Sequence, residues 1–236
     1  LLVSITVVAA QLSQLGVENT VLRFFPYFKD DQRKHRGLLS MLVLFGTAAS
    51  LLCMLALAAL HPWLSDVFND RNSLYAQYGL LVLPLVLGEV FFILLRSFSR
   101  SLRRTVQPTF IREFMLRAMQ TILILVQAWA MMPFHVFMLL YTALFLIGTL
   151  ALVWDLYRSG NFALGWSERW LPTRLRKSMV TYSTFTFSAT LAGIILGNMD
   201  QLMIGALLGD GLRQVAYYSV AFYFGSVIAA PGRALS

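Results

Sequence analysis

Charge is what this chain has least of. Asp, Glu, Lys and Arg together make up 13% of its 236 residues, whereas 58% are hydrophobic. A soluble globular domain carries about 25% charged residues and about 45–50% apolar ones. So few charges cannot cover a water-soluble particle of this size, and the mean hydropathy of +0.69 points the same way. Cysteine is nearly absent. The lone Cys53 lies inside an apolar run, so an intrachain disulfide is excluded. The three histidines, His35, His61 and His135, are far apart and belong to loops or span ends, so no metal site is expected. No GxxxxGK[ST], GxGxxG, HExxH or paired CxxC occurs. An ATP-driven engine within the chain is thereby excluded, and neither a catalytic residue set nor a bound cofactor is expected. Domain linkers and low-complexity tracts are also missing. The first residue is Leu1, in the middle of an apolar run with no charged leader region, so we expect a fragment that lacks its true N-terminus and carries no signal peptide.

What the chain has is apolar length. A bilayer core needs about 20 residues of apolar helix. Seven windows qualify, at 1–27, 37–60, 74–97, 108–131, 133–157, 178–208 and 214–230. The expected fold class is all-α, a polytopic transmembrane helix bundle whose short connections make neighbouring helices antiparallel. Counting Lys and Arg in the six connections gives 4, 1, 4, 0, 5 and 1. Such an excess marks the cytoplasmic side, and its alternation places the first span running from outside to inside. The net charge of +8 is therefore topological, and nucleic-acid binding is rejected. Trp63, Trp154, Tyr157, Trp166 and Trp170 sit at predicted boundaries as interfacial anchors.

The sixth segment is too long for one plain span, because about 33 helical residues cover about 50 Å against a core of about 30 Å. We expect an interfacial start and a bend at Gly193 or Gly197. Pro84 and Gly88 predict a kink in the third span, with freed carbonyls facing a cavity. The Ser/Thr run from Thr181 to Thr190 reads as helix-packing glue.

Ionisable residues inside spans are costly and mark functional sites. Six candidates follow. Glu18, in "LGVENTVLRFFPYF", lies about 16 Å of helix before Lys29, beyond reach of the interface. Arg23, about 9 Å before it, can snorkel, so an interface anchor and a cavity ligand are equally open. Glu18 and Arg23 are about 140° apart around one helix, so Glu18 needs another helix, water or a proton. Glu89 lies about 10 Å inside the third span. The fourth opens "PTFIREFMLRAMQ", where Arg117 is placed to pair with Glu113 four residues earlier. Arg112 points about 100° away from Glu113. Asp200 sits in "LGNMDQLMIG" of the sixth segment.

The stretch "MDQLMIGALLGDGLRQVAYYSVAFYFGSVIAAPGRALS" (199–236) resembles the start of the second half of polysaccharide-transporter flippases, a family of the multidrug/oligosaccharidyl-lipid/polysaccharide exporter superfamily. The shared features are an Asp late in a span, an outer turn bounded by Gly205, Gly209 and Gly211, and an aromatic "YYSVA" helix ending in "P-x-R". "LGVENTVLRFFPYFKD" (15–30) resembles the end of that family's second helix, with its Arg-aromatic pair before a charged loop. The resemblance implies a partial chain of a two-lobe flippase fold of 12–14 helices. Residues 1–157 would be the N-terminal lobe from the second helix to the sixth, 158–177 the cytoplasmic connection, and 178–236 helices seven and eight. It implies export of a polyprenyl-pyrophosphate-linked oligosaccharide for polysaccharide or O-antigen biosynthesis. Alternating access in a multi-pass bacterial or archaeal cell membrane would drive it, with glycan polymerase or assembly proteins as possible partners. Arg23, Arg112 or Arg117 would then bind phosphates, while Glu18, Glu89 or Asp200 would hold sugar hydroxyls or couple to Na⁺ or H⁺. Alternatives are a cation-coupled drug or metabolite antiporter of the same superfamily, a membrane glycan polymerase or ligase, and a non-transporting scaffold.

Overall fold

The computed structural model describes residues 2–29, 37–69, 78–130, 132–162, 172–207 and 211–234. Among them every regular element is helical. In chain order they are α1 (Leu2–Gln14), α2 (Val17–Phe28), α3 (Leu38–Asn69), α4 (Val82–Ser101, entered through a 3-10 turn, Gly79–Leu81), α5, α6 (Phe134–Arg158), α7 (Thr173–Leu207) and α8 (Gly211–Ala234). Helix α5 is composite, an α turn Val106–Phe110, a π turn Ile111–Met115 and an α-helix Leu116–Ala130.

Helix α4 is the centre of the bundle. Val86, Val90, Phe92, Ile93, Leu94 and Phe98 are all at most 2% exposed, so α4 is apolar around most of its circumference. That is the pattern of a helix enclosed by others, and α1, α2, α3 and α6 surround it. Close approach relies on small residues, as between helices in lipid. A Cβ at Gly46 would overlap Leu94, and one at Gly148 would overlap Leu116. The outer surface is apolar instead of charged. Leu52 and Leu55 on α3, Ile124 and Trp129 on α5 and Leu150 on α6 are all well exposed. Water would oppose such a surface, and hydrocarbon would not.

Among the described residues three helices are long and apolar enough to cross a membrane, Leu38–Leu60, Gly79–Ser101 and Phe134–Arg158, with mean hydropathies of 2.3, 2.2 and 2.4. The seven windows do not all become single plain spans. Window 1–27 is divided at Leu15–Gly16, and its two helices of 13 and 12 residues are each shorter than a bilayer core. The described parts of windows 108–131, 178–208 and 214–230 are helical but richer in charged, hydroxyl or amide side chains.

Element boundaries move as well. Helix α3 runs on to Asn69, through most of the segment read as an outer loop. Helix α4 continues to Ser101, which puts Arg96 and Arg100 in the helix and not in a loop. Helix α4 is continuous through Pro84 and Gly88. Pro84 falls in the first turn of α4, where its missing N–H has no intrahelical role. Gly88 is a contact point, its carbonyl accepting from the Thr149 hydroxyl at 2.9 Å. Helix α7 runs unbroken through Gly193 and Gly197 for 35 residues, about 50 Å. The basic stretches 30–36 and 163–171, with Trp166 and Trp170, lie outside the described residues, as does the turn 208–210.

Candidate functional site

The break in the first segment organises its surroundings. Leu15 and Gly16 both adopt left-handed backbone, with φ of 48° and 74°. The α1 ladder stops there and α2 starts on a new axis with Gly16 as its cap. Gly16 O accepts the Thr20 backbone N–H at 3.3 Å, the first bond of α2, and side chains of α7 reach both Leu15 O and Gly16 O. The Ser183 hydroxyl donates to Leu15 O at 2.5 Å, and that of Thr186 reaches Gly16 O at 3.4 Å. Thr20, one turn along α2, also donates its hydroxyl to Gly16 O, at 3.0 Å. The seat is tight. A Cβ on Gly16 would lie 2.4 Å from Ser183 O and 2.8 Å from Phe187 N, both backbone atoms.

This restart puts Glu18 in the first turn of α2, where a negative charge is favoured by the exposed N–H groups. Across the interface α4 presents Arg96 and Arg100, four residues apart and so on one face. Arg96 Nη2 donates to Glu18 Oε1 at 2.9 Å, and Arg100 Nη1 donates to the same oxygen at 3.4 Å. Glu18 is 17% exposed and Arg96 29%. Two guanidiniums sharing one carboxylate leave one net positive charge. Arg96 Nε, buried, has no hydrogen-bond partner among the described residues.

Glu18 also borders a small cavity of about 10 Å³, room for one water. Gln11, Gln14, Asn19 and Thr190 help to line it. Gln14 is 1% exposed, and its Nε2 donates to Ala10 O at 3.3 Å. That bond fixes the amide orientation, because the reverse would set two oxygens face to face. Its Oε1 is thus held buried without a partner among the described residues.

A second ion pair lies between α4 and α5. Arg112 donates Nη1 to Glu89 Oε2 at 2.6 Å and Nη2 to Glu89 Oε1 at 2.7 Å, a fork-on-fork pair around a carboxylate only 5% exposed. The Arg112 guanidinium also lies 5.2 Å from the Phe92 ring centroid. Arg112 belongs to the π turn Ile111–Met115, whose wider winding re-aims it relative to a regular helix.

The six sequence candidates do not converge on one cavity. Only Glu89 and Arg112 meet each other. Glu18 meets Arg96 and Arg100. Arg23 stacks over the Tyr182 ring at 4.3 Å. Arg117 pairs with Glu113 at 2.8 Å on an exposed helix face. Asp200 accepts from the Tyr218 hydroxyl at 2.7 Å, joining α7 to α8. Sequence reasoning missed Arg96 and Arg100, which the charge count had assigned to a loop. It also missed Gln14, Tyr182 and the individual roles of Ser183 and Thr186. The four-residue spacing of the two arginines, directly after an apolar run, is the signal that could have kept them helical. Among the described residues no group of three metal-ligating side chains forms.

Comparison of the chain with protein-family models, with curated proteins and with solved structures found no match.

Proposed function

We propose that the chain is part of a membrane flippase that translocates a polyprenyl-pyrophosphate-linked oligosaccharide by alternating access. Its setting would be a bacterial or archaeal cell membrane, in the service of surface-polysaccharide synthesis. One observation carries the reading beyond the resemblance: the arginine pair Arg96 and Arg100 gathered on a single Glu18 oxygen. A pyrophosphate diester bears two negative charges. Two guanidiniums balance them once Glu18 withdraws, and Arg–phosphate pairs gain from bidentate geometry. Glu18 would then serve as a placeholder that partly neutralises the arginines between cargo molecules. Arg112 is a poorer phosphate ligand than expected, because Glu89 already takes two of its donors. Within the two-lobe picture, the contacts of α7 with α1 and α2 lie between lobes. The break at Leu15–Gly16 would be a seat from which the second lobe parts. Discontinuous helices beside a central site recur in repeat-built transporters.

A cation-coupled antiporter is the second reading. The unpartnered Gln14 Oε1 beside Glu18 favours it, since oxygen donors there could receive Na⁺. Electrostatics weigh against it, because such a cation would face Arg96 and Arg100 across a carboxylate already shared by both.

The test is translocation by full-length protein in proteoliposomes loaded with a polyprenyl-pyrophosphate oligosaccharide, read by lectin accessibility. Wild type should move the glycan, and R96Q/R100Q, compared at equal amounts of folded protein, should not. Equal transport by wild type and the double variant would defeat the arginine assignment.

A further inference from the structure

A second cavity has a different character. It is a crevice of about 320 Å³ between the start of α2, the first half of α3 and the first half of α7. That volume is at the low end of pockets that hold small ligands, about 300–1,000 Å³. Its walls include Val17, Val21, Phe45 and Met179. Three hydroxyls line it, yet each is committed elsewhere: Thr20 to Gly16 O, Ser183 to Leu15 O, and Thr184 to Thr181 O. Away from Arg176 the crevice therefore offers few free donors to a sugar and holds water poorly, since an ordered water needs about 2–4 polar partners. It suits hydrocarbon.

One charged side chain lines it. Arg176 sits in the first turns of α7, is exposed, and has no carboxylate partner among the described residues. Arg174 and Lys177 are close along the same helix, and the helix N-terminus adds positive potential.

We propose that this crevice is a binding site for an anionic phospholipid, with one acyl chain between α2, α3 and α7 and the phosphate on Arg176. Charge selects the head group. A phosphodiester carries a single negative charge, which the Arg176 guanidinium matches, with Arg174 and Lys177 adding positive potential nearby. A zwitterionic lipid would bring its own ammonium against Arg174 and Lys177. The inference rests on the chain lying in a bilayer and is independent of the cargo proposed above.

The experiment uses full-length protein in detergent with phosphatidylglycerol bearing a diazirine on one acyl chain, with phosphatidylcholine of the same chain as control. After irradiation, adducts are mapped by mass spectrometry. Phosphatidylglycerol should label Val17, Val21, Phe45 or Met179 well above phosphatidylcholine. R176Q should lower that labelling about five-fold, the effect of losing one basic side chain near an anionic surface, and leave the phosphatidylcholine level unchanged. Val180 also lines the crevice and is exposed, so V180W fills the space without entering the core and should reduce adducts from both lipids. If V180W unfolds, R176Q still decides the matter. Equal labelling by the two lipids, adducts elsewhere only, or insensitivity to R176Q would overturn the proposal. Displacement of phosphatidylglycerol by a prenyl phosphate at lower concentration would also overturn it, by making the crevice a cargo site.

Discussion

Replacing Gly16 by alanine should destabilise the protein through two separable effects. The first is backbone strain. Gly16 has a φ of 74°, and an L-residue with a Cβ in left-handed backbone costs about 1–2 kcal/mol. The second is overlap. The added Cβ would lie 2.4 Å from Ser183 O, where ordinary contact begins at 3.4 Å, so α7 must retreat by about 1 Å. Ser183 O and Phe187 N are backbone atoms and cannot rotate away, whereas Thr186 Oγ1 at 2.7 Å can. Such a retreat also stretches the hydrogen bond from Ser183 to Leu15 O. Overpacking of this kind costs about 1–3 kcal/mol. The total is about 2–5 kcal/mol, or a fall in Tm of roughly 4–20 °C at the 2–4 °C per kcal/mol of a chain this long. Gly160 supplies the control. Its φ is 72°, but nothing lies within 4 Å of its Cβ position. G160A therefore reports strain alone, about 1–2 kcal/mol. Thermal unfolding of both variants in one detergent separates the effects. If G16A melts no lower than G160A, the tight seat of α7 on the helix break is wrong.

Other outcomes follow from the ion pairs and the open glycines. E89L should cost about 3–5 kcal/mol by leaving Arg112 without its buried partner, and E89L/R112M should recover most of it, as read by unfolding midpoints. E113A should change stability by about 0.5 kcal/mol or less, because the pair with Arg117 is exposed on both sides; a larger loss would mean that Glu113 has a second role. Gly193 lies mid-helix with open space around it, so G193A should stabilise by up to about 1 kcal/mol. A lower Tm for G193A would show that α7 needs flexibility at that point.

Hydropathy located the helical segments well because burial in a bilayer writes long apolar runs. The boundaries were harder, and each failure has a cause. The break at Leu15–Gly16 carries almost no local signal, since a lone glycine in an apolar run also suits helix packing. The groups that meet its carbonyls, the hydroxyls of Ser183 and Thr186, lie about 170 residues away in sequence. Arg96 and Arg100 read as loop because charge was taken to end the span. In the fold, Glu18 on another helix makes both tolerable inside α4. The π turn that aims Arg112 at Glu89 has no sequence signature. Pro84 falls in the first turn of α4, where proline is tolerated. The candidate acids and bases were legible as ionisable residues within apolar segments, but their partners were not, because pairing across helices depends on rotation and register.

The most direct measurement of the central claim is complementation. The full-length gene is expressed in a strain that lacks its lipid-linked oligosaccharide flippase, and surface polysaccharide is scored alongside membrane abundance. The proposed function predicts that wild type restores the polysaccharide and that R96Q/R100Q, at equal abundance, does not. Absence of polysaccharide with wild-type protein abundant in the membrane would contradict it.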